Sequence, residues 1–285
     1  MENAALPFAK GRACGFQGQD MSQAPSNTDW WGWWGRWRAG QKPAPLTDDL
    51  PFSHVVPLGL SCRVTHQLRR FSGIGIAYPF DWWISPLSGI ARYLADPDPE
   101  RIYSPSRLEE VIDDGRLKAI RSVDFGIELF HEFPRIRIPV DGAEVSVVAP
   151  DWQAHIAAAR EKHSARLQRL LATNEPGNRI LFVRHRYDAD IAGPAPATDI
   201  RALHSALMAG WPKAQVELLL VNVPSDGKLP KGVRSVVFED VPGPPGQEWQ
   251  GDSAPWGAAF EAQQIRLRED AHADAPSQWH NQPPD

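Results

Sequence analysis

The sequence predicts an α/β protein in which a mostly parallel sheet is flanked by helices, with a β-hairpin insertion and disordered termini. Two short runs, RILFVRH and VELLLVNV, are apolar without alternation, which is typical of strands buried on both faces of a sheet. Segments with apolar residues at helical spacing separate such runs. Because a crossover between parallel strands places a helix against the sheet, this order predicts one α/β domain at 51–268.

The first predicted elements are a strand at HVVPLGL and a helix that follows from Cys62. Proline cannot donate to a sheet ladder, so Pro57 indicates an edge strand or a bulge. Apolar residues then recur at helical spacing as far as Phe71. SPLSGIARYLAD predicts a second helix, with Ser85 as its N-cap and Pro86 at its first helical position.

The middle of the chain predicts extended segments and the longest helix. VDFGIELFHEF is apolar and predicted to be extended, and RIRIPVDGAEVSVV alternates about Asp141-Gly142, which predicts the hairpin. DWQAHIAAAREKHSARLQRLLAT predicts a helix that Asp151 could cap. Its expected buried stripe is Trp152, Ile156, Ala159, His163, Leu167 and Leu170.

The last predicted elements alternate regularly. RILFVRH predicts a buried strand and DIRALHSALMAG a helix that ends at Gly210. VELLLVNV and VRSVVFEDV predict two further strands, and PWGAAFEAQQIRLRE predicts the final helix.

The ends of the chain, 1–50 and 269–285, lack sustained periodicity and are expected to be disordered. The first of them contains DWWGWWGRWRAG, a tryptophan-rich patch at Trp30–Trp37. This patch could bind a partner or a membrane surface. Alternatively, the tail folds back onto its own domain or is extra translated sequence, in which case Met21 could be the true start.

The composition excludes several function classes. A net charge of -5 gives no electrostatic case for nucleic acid. No apolar run approaches the roughly 20 residues of a membrane span, and no signal peptide is visible. The two cysteines, Cys14 and Cys62, are too few for a disulfide framework or a cysteine-based zinc site. Without a GxGxxG motif or a P-loop, we expect a cytoplasmic protein without metal or cofactor.

Cys62 falls where the first strand turns into a helix. Ligands of open parallel sheets bind outside the carboxyl ends of the strands, and Cys62 lies at such an end. The first turn of a helix carries a partial positive charge that favours a thiolate, and its N–H groups could hold an oxyanion. Alternatively, Cys62 is a small buried apolar residue, as many free cysteines are.

Two blocks around this cysteine, LGLSCRVTHQLRRF (58–71) and YPFDWWISPLSGI (78–90), resemble a bacterial domain family described as papain-like cysteine peptidases. The resemblance continues in FGIELFHEF (125–133), ILFVRH (180–185) and LLLVNV (218–223). It implies that Cys62 is a thiol nucleophile acting on a peptide or another acyl substrate. The pair Leu60-Ser61 departs from the family pattern, in which a more polar pair is expected.

A thiol hydrolase also needs a base and a group that orients it. His131 belongs to the family-like FHEF block, and His185 ends a predicted strand on the same rim as Cys62. We favour His131. The candidate orienting groups are Asp81, which alternatively is a buried turn former, and two residues near later strand ends, Asn222 and Asp240.

Three functions are therefore open. The first is a cysteine hydrolase or acyltransferase that acts through Cys62. The second is a non-catalytic binding or accessory domain, whose pocket is built on PFDWW. The third is an esterase-like α/β hydrolase that uses Ser61 at the same turn.

Overall fold

The structure, a computed structural model, describes residues 50–73, 75–186 and 193–272. Several predictions concern residues outside these ranges: most of the N-terminal tail at 1–49, most of the C-terminal tail at 273–285, Cys14, Met21 and Trp30–Trp37. The first residues of the predicted C-terminal tail, Glu269–His272, form a short 3₁₀ helix.

The described ranges contain nine strands and six α-helices, joined in places by short 3₁₀ helices. In chain order they are β1 (His54–Pro57), α1 (Cys62–Ser72), α2 (Leu87–Ala95), α3 (Pro99–Ile102), β2 (Leu108–Asp113), β3 (Arg116–Ser122), β4 (Ile127–Glu128), β5 (Arg135–Val140), β6 (Ala143–Val148), α4 (Ile156–Leu171), β7 (Arg179–His185), α5 (Ala197–Gly210), β8 (Gln215–Val221), β9 (Val233–Val236) and α6 (Ser253–Ala262).

A four-stranded parallel sheet, in the order β1-β7-β8-β9, forms the centre of the molecule. Every residue of β7 and β8 is buried, as their unbroken apolar runs predict. β1 is an edge strand, which is where a proline such as Pro57 is tolerated. All four strands end at one edge of the sheet, and α1 begins five residues after β1 ends.

Helices cover both faces of this sheet. On one face, Val64 of α1 and Phe260 of α6 pack with Val183 of β7. On the other, Ile90 of α2 and Leu207 of α5 belong to a larger core that also includes residues of α4. Each fully buried aliphatic or aromatic side chain stabilises the fold by about 1.5–3 kcal/mol, so the sheet is a rigid platform for residues at its edge.

The remaining strands are antiparallel, so a mostly parallel arrangement is not confirmed, although mixed helices and strands are consistent with an α/β protein. β2, β3 and β4 form one antiparallel sheet, and β5 and β6 form the hairpin about Asp141-Gly142 that the sequence predicts. The turn between β2 and β3 lies at Asp114-Gly115, another hairpin signal. Most residues of β2 are exposed, so the strand lacks the apolar run that marks β7.

Three local predictions were wrong. Helix α2 begins at Leu87 with Pro86 as its N-cap, because the hydroxyl of Ser85 accepts a hydrogen bond from Arg184. Asp151 makes no side-chain cap, and a 3₁₀ turn precedes α4. The final helix ends at Ala262 rather than near residue 269, and the chain then turns back to the start of the domain.

Two further predictions can be compared with the structure. The stripe predicted along the longest helix is buried in full: Trp152, Ile156, Ala159, His163, Leu167 and Leu170. VDFGIELFHEF is extended only at Ile127–Glu128, since Gly126 has a positive φ and residues 130–132 form a turn. No helix within the described residues is long and apolar enough to cross a membrane.

Candidate active site

The turn between β1 and α1 has a strained backbone. Gly59 and Leu60 have φ of 73° and 76°, in the left-handed region that a leucine rarely adopts. A Cβ at Gly59 would lie 2.8 Å from the carbonyl oxygen of Trp83 and 3.2 Å from that of Phe80. The PFDWW segment therefore packs directly against the turn, and only glycine fits between them.

A buried arginine also holds this turn, through hydrogen bonds to the residues beside it. Arg184 of β7 donates hydrogen bonds to the carbonyl oxygen of Leu58 at 2.7 Å and to the hydroxyl and carbonyl oxygens of Ser85. Burial lowers the pKa of Arg184 to about 9. Since no carboxylate of the described chain forms an ion pair with this guanidinium, its charge favours negative charge developing nearby.

Cys62 is the first residue of α1 and is half-buried. Its Sγ lies 3.4 Å from Nε2 of His131, within hydrogen-bond distance for sulfur. The helix N-terminus supplies a partial positive charge at the same place. The structure thus brings together a thiol, an imidazole and a helix N-terminus.

His131 lies in the turn after β4, and its neighbours anchor that turn. Arg135 donates a hydrogen bond to the carbonyl oxygen of Phe130 at 3.0 Å, with its guanidinium 4.3 Å from the Phe130 ring centre. The buried carboxylate of Glu132 pairs with Lys162 of α4 at 2.7 Å. These contacts fix the backbone on both sides of His131, and so hold its ring near Cys62.

The surroundings of His131 are apolar and cationic. The ring of Trp82, from PFDWW, meets it edge to face at 5.7 Å between centroids. Burial, helped by the nearby charge of Arg135, lowers the pKa of His131 to about 4. The imidazole is therefore neutral at pH 7 and able to accept a proton.

Ser61, the residue before Cys62, contacts the other candidate histidine. Its Oγ lies 3.3 Å from Nδ1 of His185, the last residue of β7. Nε2 of the same ring lies 3.0 Å from Oδ2 of Asp240. Ser61, His185 and Asp240 thus form a chain of hydrogen bonds along the carboxyl edge of the parallel sheet.

Asp240 has two further partners that hold it in place. Arg63 donates to its Oδ2 at 2.6 Å, and the indole N–H of Trp256 donates to its Oδ1 at 3.2 Å. Burial acts to raise the pKa of Asp240, but the hydrogen bonds from His185 and Arg63 outweigh it and hold the pKa below the usual range. Asp240 is therefore an ionised acceptor.

The other two predicted orienting residues make their contacts elsewhere. Asp81 is buried and accepts hydrogen bonds from Arg69 at 2.6 Å and from the backbone N–H of Tyr78 at 3.1 Å. Burial raises its pKa in spite of Arg69. Asn222 follows β8 with φ 55° and accepts a hydrogen bond from the backbone N–H of Phe238. The contacts of Asp81 and Asn222 tie local backbone together.

Sequence reasoning missed three residues that shape the site: Arg63, Arg184 and Trp256. Only Arg184 carried a usable signal, since an arginine within a continuous apolar strand must be buried with partners. Within the described residues, no group of three or more His, Cys, Asp or Glu side chains could hold a metal ion.

Comparison with known proteins gives no match to a protein-family model, a curated protein or a solved structure. The resemblance to papain-like cysteine peptidases, which was based on the blocks at 58–71 and 78–90, therefore stays a prediction. The function must be inferred from the geometry of the site itself.

Proposed function

We propose that this chain is a cysteine hydrolase or acyltransferase in which Cys62 is the nucleophile and His131 is the base. The observation that carries the proposal is the 3.4 Å between Cys62 Sγ and His131 Nε2 at the start of a helix. A nucleophile within hydrogen-bond reach of a base is the arrangement that covalent catalysis requires.

The proposed reaction is acyl transfer. The thiol proton passes to Nε2 of His131 while Sγ bonds to the carbonyl carbon of the substrate, and the carbonyl oxygen becomes an oxyanion. The oxyanion then collapses, the leaving group departs with the proton from His131, and a thioester remains on Cys62. Water, or an acceptor in a transferase, attacks the thioester and restores the thiol.

Two features of the site support this chemistry. Burial keeps the imidazole of His131 neutral near pH 7, so Nε2 is unprotonated and, although a weak base, can take the thiol proton as Sγ bonds to the substrate. Ser61 occupies the N-cap position without a side-chain cap, so its hydroxyl does not occupy the N–H groups of the first helical turn. Those groups are therefore available to hold an oxyanion beside Cys62.

The substrate class is an acyl compound, such as a peptide or an isopeptide. The cytoplasmic location and the bacterial origin implied by the resemblance remain predictions. So does the role of the Trp30–Trp37 patch, which lies outside the described residues.

Alkylation of Cys62 by iodoacetamide tests the proposal in the full chain. Rates are measured from about pH 5 to 9, and peptide mass spectrometry separates Cys62 from Cys14. We expect His131→Ala to slow the alkylation of Cys62 at least tenfold near pH 6.5, because the imidazole that takes the thiol proton as the sulfur attacks is lost.

His66→Ala is the matched control, since His66 lies one turn along α1 against Trp249. It should leave the rate within about twofold. Equal rates in wild type and His131→Ala would remove the base from the mechanism. The non-catalytic binding domain would then be the better interpretation.

A further inference from the structure

Ser61 stands at a helix N-cap without acting as one. A serine there normally accepts a hydrogen bond from an N–H of the first turn, which stabilises the helix by about 1 kcal/mol. Ser61 makes no such bond, and its Oγ instead lies 3.3 Å from Nδ1 of His185. The hydroxyl is therefore positioned by an imidazole rather than by the helix.

The ionisation state of Asp240 determines which atom donates in each hydrogen bond of the chain formed by Ser61, His185 and Asp240. Asp240 is ionised, so it can only accept, and Nε2 of His185 must donate to it. Burial lowers the pKa of His185 in spite of the hydrogen bond to Asp240, so the ring carries one proton. Nδ1 is then a bare acceptor, and the hydroxyl proton of Ser61 points toward it.

This direction separates two possible roles for Ser61. A hydroxyl whose only proton is committed to His185 cannot donate a hydrogen bond to an oxyanion. It can present its oxygen lone pairs to a substrate and lose its proton to the ring behind it. The arrangement therefore favours a nucleophile.

The base and its orienting group are held rigidly. The side chain of His185 is 0% exposed at the end of a central strand, and that of Asp240 is 4% exposed. Arg63 and Trp256 fix both oxygens of Asp240. Ser61 itself is half-buried and follows the strained residue Leu60, so its oxygen is fixed at an accessible turn.

We propose that Ser61, His185 and Asp240 form a second catalytic site, beside Cys62, that hydrolyses carboxylic esters through Ser61. Oγ bonds to the acyl carbon as its proton moves to Nδ1 of His185, and the ester C–O bond breaks. The departing alcohol takes that proton and leaves an acyl-serine. Water cleaves the acyl-serine, which releases the carboxylic acid and restores the hydroxyl.

An ester is the substrate that fits this base. His185 is buried and its Nδ1 faces Ser61, so a departing group takes the proton back from that nitrogen. An alcohol leaves with less help from an acid than an amine does, which favours an ester over an amide. The site does not depend on the function proposed for Cys62, because Ser61 and Cys62 contact different imidazoles.

An alkyl fluorophosphonate tests this site in the full chain. The serine oxygen bonds to phosphorus and fluoride leaves, which marks an activated serine in a stable adduct. We expect the adduct on Ser61 in wild type and in Cys62→Ala, no adduct at this position in Ser61→Ala, and a rate at least 100-fold lower in His185→Gln. Ser72→Ala, at the other end of α1, and His66→Gln are the matched controls.

A second variant covers the risk that His185→Gln unfolds. Ser61→Cys in a Cys62→Ala chain places a thiol before the same imidazole, and iodoacetamide should alkylate it faster than it alkylates Cys14 at about pH 6.5. No phosphonate on Ser61, an equal rate in folded His185→Gln, or slow alkylation of the new thiol would each overturn the proposal. Failure at Cys62 alone would overturn only the cysteine mechanism.

Discussion

Ser61 and Cys62 are neighbours in the sequence, but the histidines that contact them come from different parts of the fold. His185 ends a strand of the parallel sheet, where every residue of the strand is buried. His131 lies in a turn after the two-residue strand β4 of the antiparallel sheet, and its ring is only partly buried. A single helix start thus lies between a rigid platform and a loop.

The difference shows how each part can orient an imidazole. The sheet edge places Asp240 against Nε2 of His185, so that ring is fixed by hydrogen bonds at both nitrogens. His131 is held through the backbone on either side and by aromatic contacts with Trp82 and Phe130. Hydrogen bonds fix a tautomer, whereas apolar contacts fix mainly the position of the ring.

Replacing Asp240 by asparagine should have the largest effect on stability. Of the two labelling reactions, it should slow only the phosphonylation of Ser61. The lowered pKa of Asp240 means that the fold stabilises its charge, and its partner Arg63 is only 5% exposed. Asp240→Asn removes the carboxylate that neutralises this buried arginine, and should cost about 3 kcal/mol of unfolding free energy. Phosphonylation of Ser61 should fall, while alkylation of Cys62 persists.

Asp81→Asn is the matched control in denaturant unfolding. The raised pKa of Asp81 shows that the fold disfavours its charge, and Arg69 is 24% exposed, so its charge stays partly solvated. The neutral amide should therefore cost less than about 1 kcal/mol. A loss at Asp81 equal to that at Asp240 would contradict the assignment of the two carboxylates to different roles.

The turn shared by both nucleophiles gives a second, smaller effect. Gly59→Ala adds a Cβ that would lie 2.8 Å from the carbonyl oxygen of Trp83, at a positive φ. It should destabilise the fold by about 1–3 kcal/mol and slow labelling of Ser61 and Cys62 together, because both residues follow this turn. Thermal unfolding and the two labelling rates measure these effects.

Leu60→Gly tests the same turn in the opposite direction. Glycine adopts the positive φ of Leu60 without strain, so this change should leave stability within about 1 kcal/mol of wild type. If Gly59→Ala slowed labelling at only one nucleophile, the two sites would not share the turn as a common support.

The sequence predicted the parts of the fold in which burial is continuous. The strands β7 and β8 have continuous apolar runs at their centres, and the stripe along α4 is apolar except at His163, so their patterns are clear. In the hairpin of β2 and β3, strand β2 is mostly exposed, and its alternation is correspondingly weak. A turn such as Asp114-Gly115 is then the best remaining signal.

Of the site, the sequence predicted only which residues lie together at the carboxyl ends of the parallel strands. The ends of parallel strands share one edge, which is why His185 and the helix start were expected near each other. Which imidazole meets which nucleophile depends on the loop that carries His131, and on Ser61 turning away from its helix. These are tertiary contacts between residues far apart in sequence, and no local pattern encodes them.

The smallest predicted effect is in the pH dependence of Ser61 labelling, which separates a buried imidazole from an ordinary one. Burial lowers the pKa of His185, the charges of Arg63 and Arg184 lower it further, and only the contact with Asp240 raises it.

An imidazole of pKa 6.5 is about one quarter neutral at pH 6, so a rate that depends on it would fall about fourfold from pH 7.5. Because the pKa of His185 is lowered, more of the base stays neutral at pH 6, and the phosphonylation rate should fall less than fourfold between pH 7.5 and pH 6. Asp240→Asn removes the group that raises this pKa, so its profile should be flatter still, at a lower absolute rate. A fourfold fall in the wild type, measured with buffers of constant ionic strength, would show that the base serving Ser61 is exposed to solvent and is not His185.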